Sequence, residues 1–143
     1  MDRNLALELV RVTEAAAIAA AKWFGKGDKH AADQAAVDEM RDRFNTVDMQ
    51  GKIIIGEGEK DEAPMLFIGE KVGTQTGLEV DIAVDPLECT THCAEGKPNS
   101  MSMIAIGQKG SLAKLPGTYS DQLVVGTAGK KCYGYYKINR RKS

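Results

Sequence analysis

The stretch Val80–Cys93, VDIAVDPLECTTHC, decides how the chain is read. Its first half is an apolar, β-branched run of the kind that becomes a buried strand. Asp81 and Asp85 interrupt that run, Pro86 turns the chain, and Glu88, Cys89 and Thr90 follow. Asp81 and Asp85 are four apart, so in a strand they share a face. Past the proline, Glu88 can swing back toward Asp85. If ECTT opens a helix or tight turn, its backbone N–H groups and the Thr90 hydroxyl form an anion site beside the carboxylates.

Upstream, KIIIGEGE (Lys52–Glu59) is a second β-branched run, ending in glycine and then Glu57 and Glu59. Downstream, SMSMIAIGQKG predicts a third strand closed by a turn at Gln108–Gly110, with SLAKLP as a fourth strand paired through that turn. DEAPMLFIGEKVG reads as a short helix or turn, followed by the polar loop TQTG. Two helices precede these strands. Leu5, Leu9, Val12, Ala16, Ala19 and Trp23 make one apolar stripe over Arg3–Phe24, which Gly25 stops. A second helix is expected from Asp33 to Val47, burying Ala36, Val37, Met40 and Phe44, with Asp33 as its N-cap or first-turn residue. Helices followed by several strands indicate an α+β fold, or a layered α/β sandwich, over a regular βαβ alternation.

The 143 residues fit one domain, and 43% hydrophobic with 27% charged residues is the balance of a globular protein. A formal net charge of −1 gives no global argument for nucleic-acid or membrane binding, and neither partner is expected. The alanine-rich AAAIAAAKWF is interrupted by Lys22 and too short for a bilayer. The first residues lack a signal or transit composition, so a cytoplasmic location is expected. Cys89, Cys93 and Cys132 form no CxxC pair, and Cys89, His92 and Cys93 lack a fourth ligand for a soft-metal site. Residues 1–129 are read as the folded domain. Residues 130–143 are read as a divergent basic tail, solvated more naturally than bound to RNA.

Each central strand thus ends in carboxylates: Glu57 and Glu59 on one, Asp85 and Glu88 on the other. If the strands are neighbours, these charges converge and must raise a pKa, recruit bases or bind cations. Lys52 and Lys60 neutralise only part of the set. Hard oxygen donors without histidine point to Mg²⁺ or Mn²⁺. Taken singly, each acid is ordinary strand-end or turn chemistry. Together, Asp33, GEGE, DxxxDPxE and the following threonine read as a metal site beside a phosphate cradle, the parts of metal-assisted phosphate ester hydrolysis.

GDKHAADQAAV, IIIGEGEKDEAPMLFIGEKVG and VDIAVDPLECT closely resemble the class II, bacterial-type fructose-1,6-bisphosphatases, of the lithium-sensitive metal-dependent phosphatase superfamily. The resemblance runs from Asp2 to about Gly129. It implies Asp33, Glu57, Asp85 and Glu88 as ligands of two or more Mg²⁺ or Mn²⁺ ions, with inhibition by Li⁺. It implies Thr90 as the residue orienting the attacking water, with Asp33 beside it in the catalytic set. It further implies that Glu88, Cys89 and Thr90 bind the substrate phosphate and that Tyr119 contacts substrate. Glu59, Asp61 and Lys29 match the motifs without an assigned role. The implied reaction removes the 1-phosphate of fructose 1,6-bisphosphate, with sedoheptulose 1,7-bisphosphate a substrate of some members. Another phosphomonoesterase of the superfamily, or a non-catalytic cation-binding remnant, are the alternatives.

Two departures stand out. Cys89 occupies a glycine position of the family, where an added Cβ is expected to weaken phosphate binding. Family members also continue well beyond this length, so the chain resembles an N-terminal portion. A half-sandwich leaves a sheet face uncovered, an apolar patch that invites oligomerisation or poor solubility, and a homo-oligomer is expected.

Overall fold

The computed structural model describes residues 3–57, 66–113 and 126–127. The apolar stripe forms α1 (Arg3–Ala21), and its expected core residues Leu5, Leu9, Val12, Ala16 and Ala19 are buried. The helix ends three residues before Phe24, and the chain leaves it through turns to Gly25, at φ +71°. Helix α2 (Lys29–Phe44) buries Ala36, Val37, Met40 and Phe44 as expected, but it begins four residues before Asp33. Asp28 is its N-cap, extended at φ −108°, with its carboxylate accepting the Ala31 N–H at 2.9 Å. Asp28 reaches the free first-turn amides before Asp33 can, so Asp33 lies inside the helix, half-buried.

Four strands follow: β1 (Met49–Ile55), β2 (Lys71–Val72), β3 (Leu78–Glu88) and β4 (Met101–Gln108), with helix α3 (Thr90–Glu95) between the last two. The sheet order is β2-β1-β3-β4. β1 and β3 are parallel neighbours, as the convergence of their acidic ends requires; β2 and β4 run antiparallel on the outside. Strand periodicity sorts the side chains. Met49 and Ile53 of β1, Val80, Ile82 and Val84 of β3, and Ile104 and Ile106 of β4 join the core beneath α1 and α2. The alternate positions, including Lys52, Asp81, Asp85, Met101 and Met103, occupy the other face. A mixed sheet with a helical layer is the expected layered α/β architecture.

Three expectations change. β2 was read as part of a short helix or turn; Val72 instead packs against Gly51 and pairs it with β1. β3 does not stop at Asp-Pro but continues through Pro86 to Glu88. The first residues of SLAKLP are not a strand: Ser111 closes the turn onto the Gln108 carbonyl, and the Leu112 N–H donates to Asp81 Oδ2 at 3.1 Å. The rest of SLAKLP, the GEGE motif beyond Glu57, Tyr119 and the 130–143 tail lie outside the described residues.

Phe44 is fully buried where α2 meets the core. Phe44→Ala is expected to cost about 3–5 kcal/mol in urea denaturation. Leu7→Ala, at a position 61% exposed on α1, should stay within about 0.5 kcal/mol. Similar losses for the two would contradict this assignment of the core.

Candidate metal and phosphate site

Residues three apart in a regular strand face opposite sides, so Asp85 and Glu88 should point away from each other. They do not, because β3 carries an irregularity between them. Asp85 pairs with Met103 and Glu88 with Met101, three steps on β3 against two on β4. The extra residue returns Glu88 to the face of Asp85. Pro86 sits within this bulge, where its missing N–H removes no regular ladder bond. Ser102 Oγ donates to the Pro86 carbonyl and holds the bulge from β4.

The two carboxyl groups are hydrogen-bonded to each other. Asp85 is raised from 3.8 to about 7, first by its partial burial, then by the hydrogen bond and charge of Glu88 and the charge of Glu57. Glu88 is lowered, chiefly because Asp85 donates to it, with further help from the Cys89 thiol and backbone N–H. The opposite shifts favour keeping a proton on Asp85, the more buried member of the pair, over Glu88. Oxygen donors crowded by like charge, half-buried at Asp85 and exposed at Glu88, are what a hard divalent cation relieves, so the donor set fits such a cation.

Beyond Glu88 the chain enters α3 through Cys89, at φ 63° and ψ 51°. This is the left-handed region, where glycine is unstrained and an L-residue is disfavoured by roughly 1–2 kcal/mol. The backbone itself therefore explains a glycine at this position in the resembling family. The exposed Cys89 thiol reaches Glu88 Oε1 at 3.6 Å. Residual desolvation and then the Glu88 carboxylate push its pKa up, which disfavours a reactive thiolate. Thr90, half-buried, is the first residue of α3.

The position of α3 is fixed from several sides. Ser100 Oγ donates to the Cys89 carbonyl at 3.1 Å. Gly25 and Gly27, in the turn before α2, donate their N–H groups to Cys93 O and Ala94 O at 2.9 and 2.8 Å. Gly96 passes so close that an added Cβ would lie 3.3 Å from Gly25 Cα. The buried Cys93 thiol donates to Ala20 O, while His92 Nδ1 meets Pro98 O. Cys89, His92 and Cys93 thus face separate partners and make no soft-metal site. Ser100 and Ser102 were missed as supporting residues; the alternation of serine and methionine in SMSM was their signal.

The remaining candidates are distributed around this centre. Glu57 follows β1, and its charge is felt at Asp85. Asp33 stands on α2. Asp81 shares the face of Asp85, but it is buried and bound by the Leu112 N–H. Among the described residues, no three His, Cys, Asp or Glu side chains are already gathered as a metal cage. Asp85 and Glu88 are the assembled pair; Glu59, Asp61 and Tyr119 lie outside the described residues.

The proton kept on Asp85 has a thermodynamic consequence. Between about pH 4 and pH 7 folded Asp85 retains a proton that the unfolded chain releases. The metal-free chain should therefore lose stability as pH rises through this window, seen as a falling Tm in EDTA. Glu88 has the opposite sense: its contribution is present above its ordinary value of 4.5 and lost at lower pH. Asp85→Asn should flatten the slope between pH 4 and 7. An unchanged slope would show that Asp85 does not hold the proton.

The chain matches the family model described as bacterial fructose-1,6-bisphosphatase, glpX-encoded, over residues 3–139. It is 51% identical over 142 residues to the D-fructose 1,6-bisphosphatase class 2/sedoheptulose 1,7-bisphosphatase of Thermosynechococcus vestitus, covering 91% of this chain and 41% of that protein. It is 54% identical over 130 residues to the fructose-1,6-bisphosphatase 1 class 2 of Escherichia coli K12, covering 91% of this chain and 39% of that protein. A Trichormus variabilis relative named for both bisphosphatase activities is 49% identical over 152 residues, covering 98% of this chain and 43% of its own length. The chain spans about two fifths of the length of these relatives. By this match over nearly its whole length, the chain belongs to the bacterial, glpX-encoded fructose-1,6-bisphosphatase family.

Proposed function

We propose that the chain carries the metal- and phosphate-binding part of a phosphomonoesterase that hydrolyses the 1-phosphate of fructose 1,6-bisphosphate, and also accepts sedoheptulose 1,7-bisphosphate. The observation that carries this reading is the bulge that sets Asp85 and Glu88 together, immediately before the left-handed turn into Thr90. Asp33, Glu57, Asp85 and Glu88 would hold two or more Mg²⁺ or Mn²⁺ ions. When bound, these cations neutralise phosphate charge and acidify water. On loading, Asp85 would release its proton to solvent, and the cation's positive charge would offset the carboxylate repulsion described above. The Glu88–Thr90 backbone receives the phosphate, the Thr90 hydroxyl orients the attacking water with Asp33 beside it, and Tyr119 contacts the sugar. Li⁺ inhibits by competing for the carboxylates.

A cytoplasmic homo-oligomer is the proposed setting. Among the described residues no helix is long and apolar enough to cross a membrane. Met101 and Met103, 49% and 40% exposed on the face away from α1 and α2, support a partner layer there. The strained backbone at Cys89 favours a second reading, a cation-binding remnant with little turnover.

Phosphate release from fructose 1,6-bisphosphate with Mn²⁺ or Mg²⁺ separates the two readings. The expected outcome is Li⁺-sensitive turnover, reduced at least about 100-fold by Asp85→Ala and raised by Cys89→Gly. No turnover in either the native chain or Cys89→Gly, with Mn²⁺ binding retained, would leave the remnant.

A further inference from the structure

Glu57 leaves β1 at a point where the backbone is pressed against a second segment. A Cβ at Gly56 would collide with the Leu66 carbonyl oxygen, so only glycine fits the approach. The Glu57 N–H donates to that same carbonyl at 3.3 Å. Gly69 N–H donates to Ile53 O at 2.8 Å, and Ile53 N–H to Glu70 O at 2.9 Å. Residues 66–70 therefore form a clasp around the acidic end of β1. Leu66 is fully buried at φ +58°, a conformation the surroundings must enforce for a leucine.

What closes the clasp is the carboxylate of Glu70, only 8% exposed. Its Oε1 accepts from Arg41 Nε at 2.9 Å, and its Oε2 accepts the Phe67 N–H at 3.2 Å. Arg41 belongs to α2 and lies eight residues after Asp33. At 3.6 residues per turn, Asp33, Val37 and Arg41 fall along one side of that helix, spanning about 12 Å. One ion pair thus ties the helix bearing Asp33 to the turn that sets the backbone of Glu57. Removing Arg41 leaves the buried Glu70 carboxylate without its counter-charge, whereas removing Glu70 frees Arg41, 34% exposed, from the clasp.

We propose that Arg41 and Glu70 are positioning residues for the acidic site, setting the place of Glu57 relative to α2 and Asp85; their effect on cations rests on the metal-site reading above. Neither residue is among those read above as metal or phosphate ligands. The pair acts through the clasp, as outer partners orient the ligands of a metal centre.

The test compares the native chain with Arg41→Met, Glu70→Gln and Arg41→Lys. Val12→Ala, a core change on α1, serves as a control for general destabilisation. Amide hydrogen exchange at Glu57 and Gly69, taken relative to Ile82 in the central strand, reports the clasp without metal. Mn²⁺ affinity, followed by the electron paramagnetic resonance of the free ion, reports its consequence. Arg41→Met and Glu70→Gln should speed relative exchange at Glu57 and Gly69 and weaken Mn²⁺ binding, each by about tenfold. Arg41→Lys should restore part of both, and Val12→Ala should change neither. The proposal is overturned if relative exchange at Glu57 is unchanged. It is equally overturned if exchange rises while Mn²⁺ affinity follows only the loss of stability seen with Val12→Ala. Should the native chain bind Mn²⁺ no better than Asp85→Ala, the metal-site reading fails, and exchange at Glu57 still decides whether the pair sets its position.

Discussion

One extra residue in β3 sets the chemistry of this chain. Without the bulge at Pro86–Leu87, Asp85 and Glu88 would stand on opposite faces of the sheet. With it, they meet and place an oxygen pair, half-buried at Asp85 and exposed at Glu88, directly before the turn into α3. The bulge survives because both sides of it are held. Leu87 is buried in the core, and Ser102 satisfies the Pro86 carbonyl from β4. Proline suits such a position because it contributes no N–H that the ladder would need.

The helical layer then acts as a ruler for the site. α3 is bonded at its C-terminal end to the Gly25–Gly27 turn, which also delivers Asp28 to cap α2. Thr90 and Asp33 therefore stand on elements joined through a few backbone contacts, and the close passage of Gly25 and Gly96 leaves little room for drift. On the opposite side of the centre, the 66–70 turn grips the end of β1 and answers to α2 through Arg41. The acidic residues come from three separate elements, and each element is referenced to α2.

Cys89 illustrates how family membership and local physics meet. The position has a left-handed backbone, so a glycine is its unstrained occupant. Cysteine here keeps the path of the chain but places a side chain beside Glu88, where its thiol is hydrogen-bonded and held protonated. The path into α3 is thus dictated by the surrounding bonds, not by the residue at the bend.

By itself the sequence determined the helices, the three long strands and their buried faces, since period and burial coincide: Leu5 through Ala19, Ala36 through Phe44, and the alternation in β3 and β4. It also marked Asp85, Glu88 and Thr90 as one chemical group, because Asp-Pro after a β-branched run is a local signal. Asp33 as a cap was misread, since two aspartates compete for one helix start and only the folded chain shows which carboxylate reaches the amides. β2 was illegible, being two residues whose strand character comes from pairing with β1 and not from their own pattern. Tertiary structure alone decided the bulge that turns Glu88 toward Asp85, the bond that withdraws Asp81 to Leu112, and the Arg41–Glu70 pair across 29 residues. Each depends on a partner distant along the chain, and periodicity carries no information about distant partners.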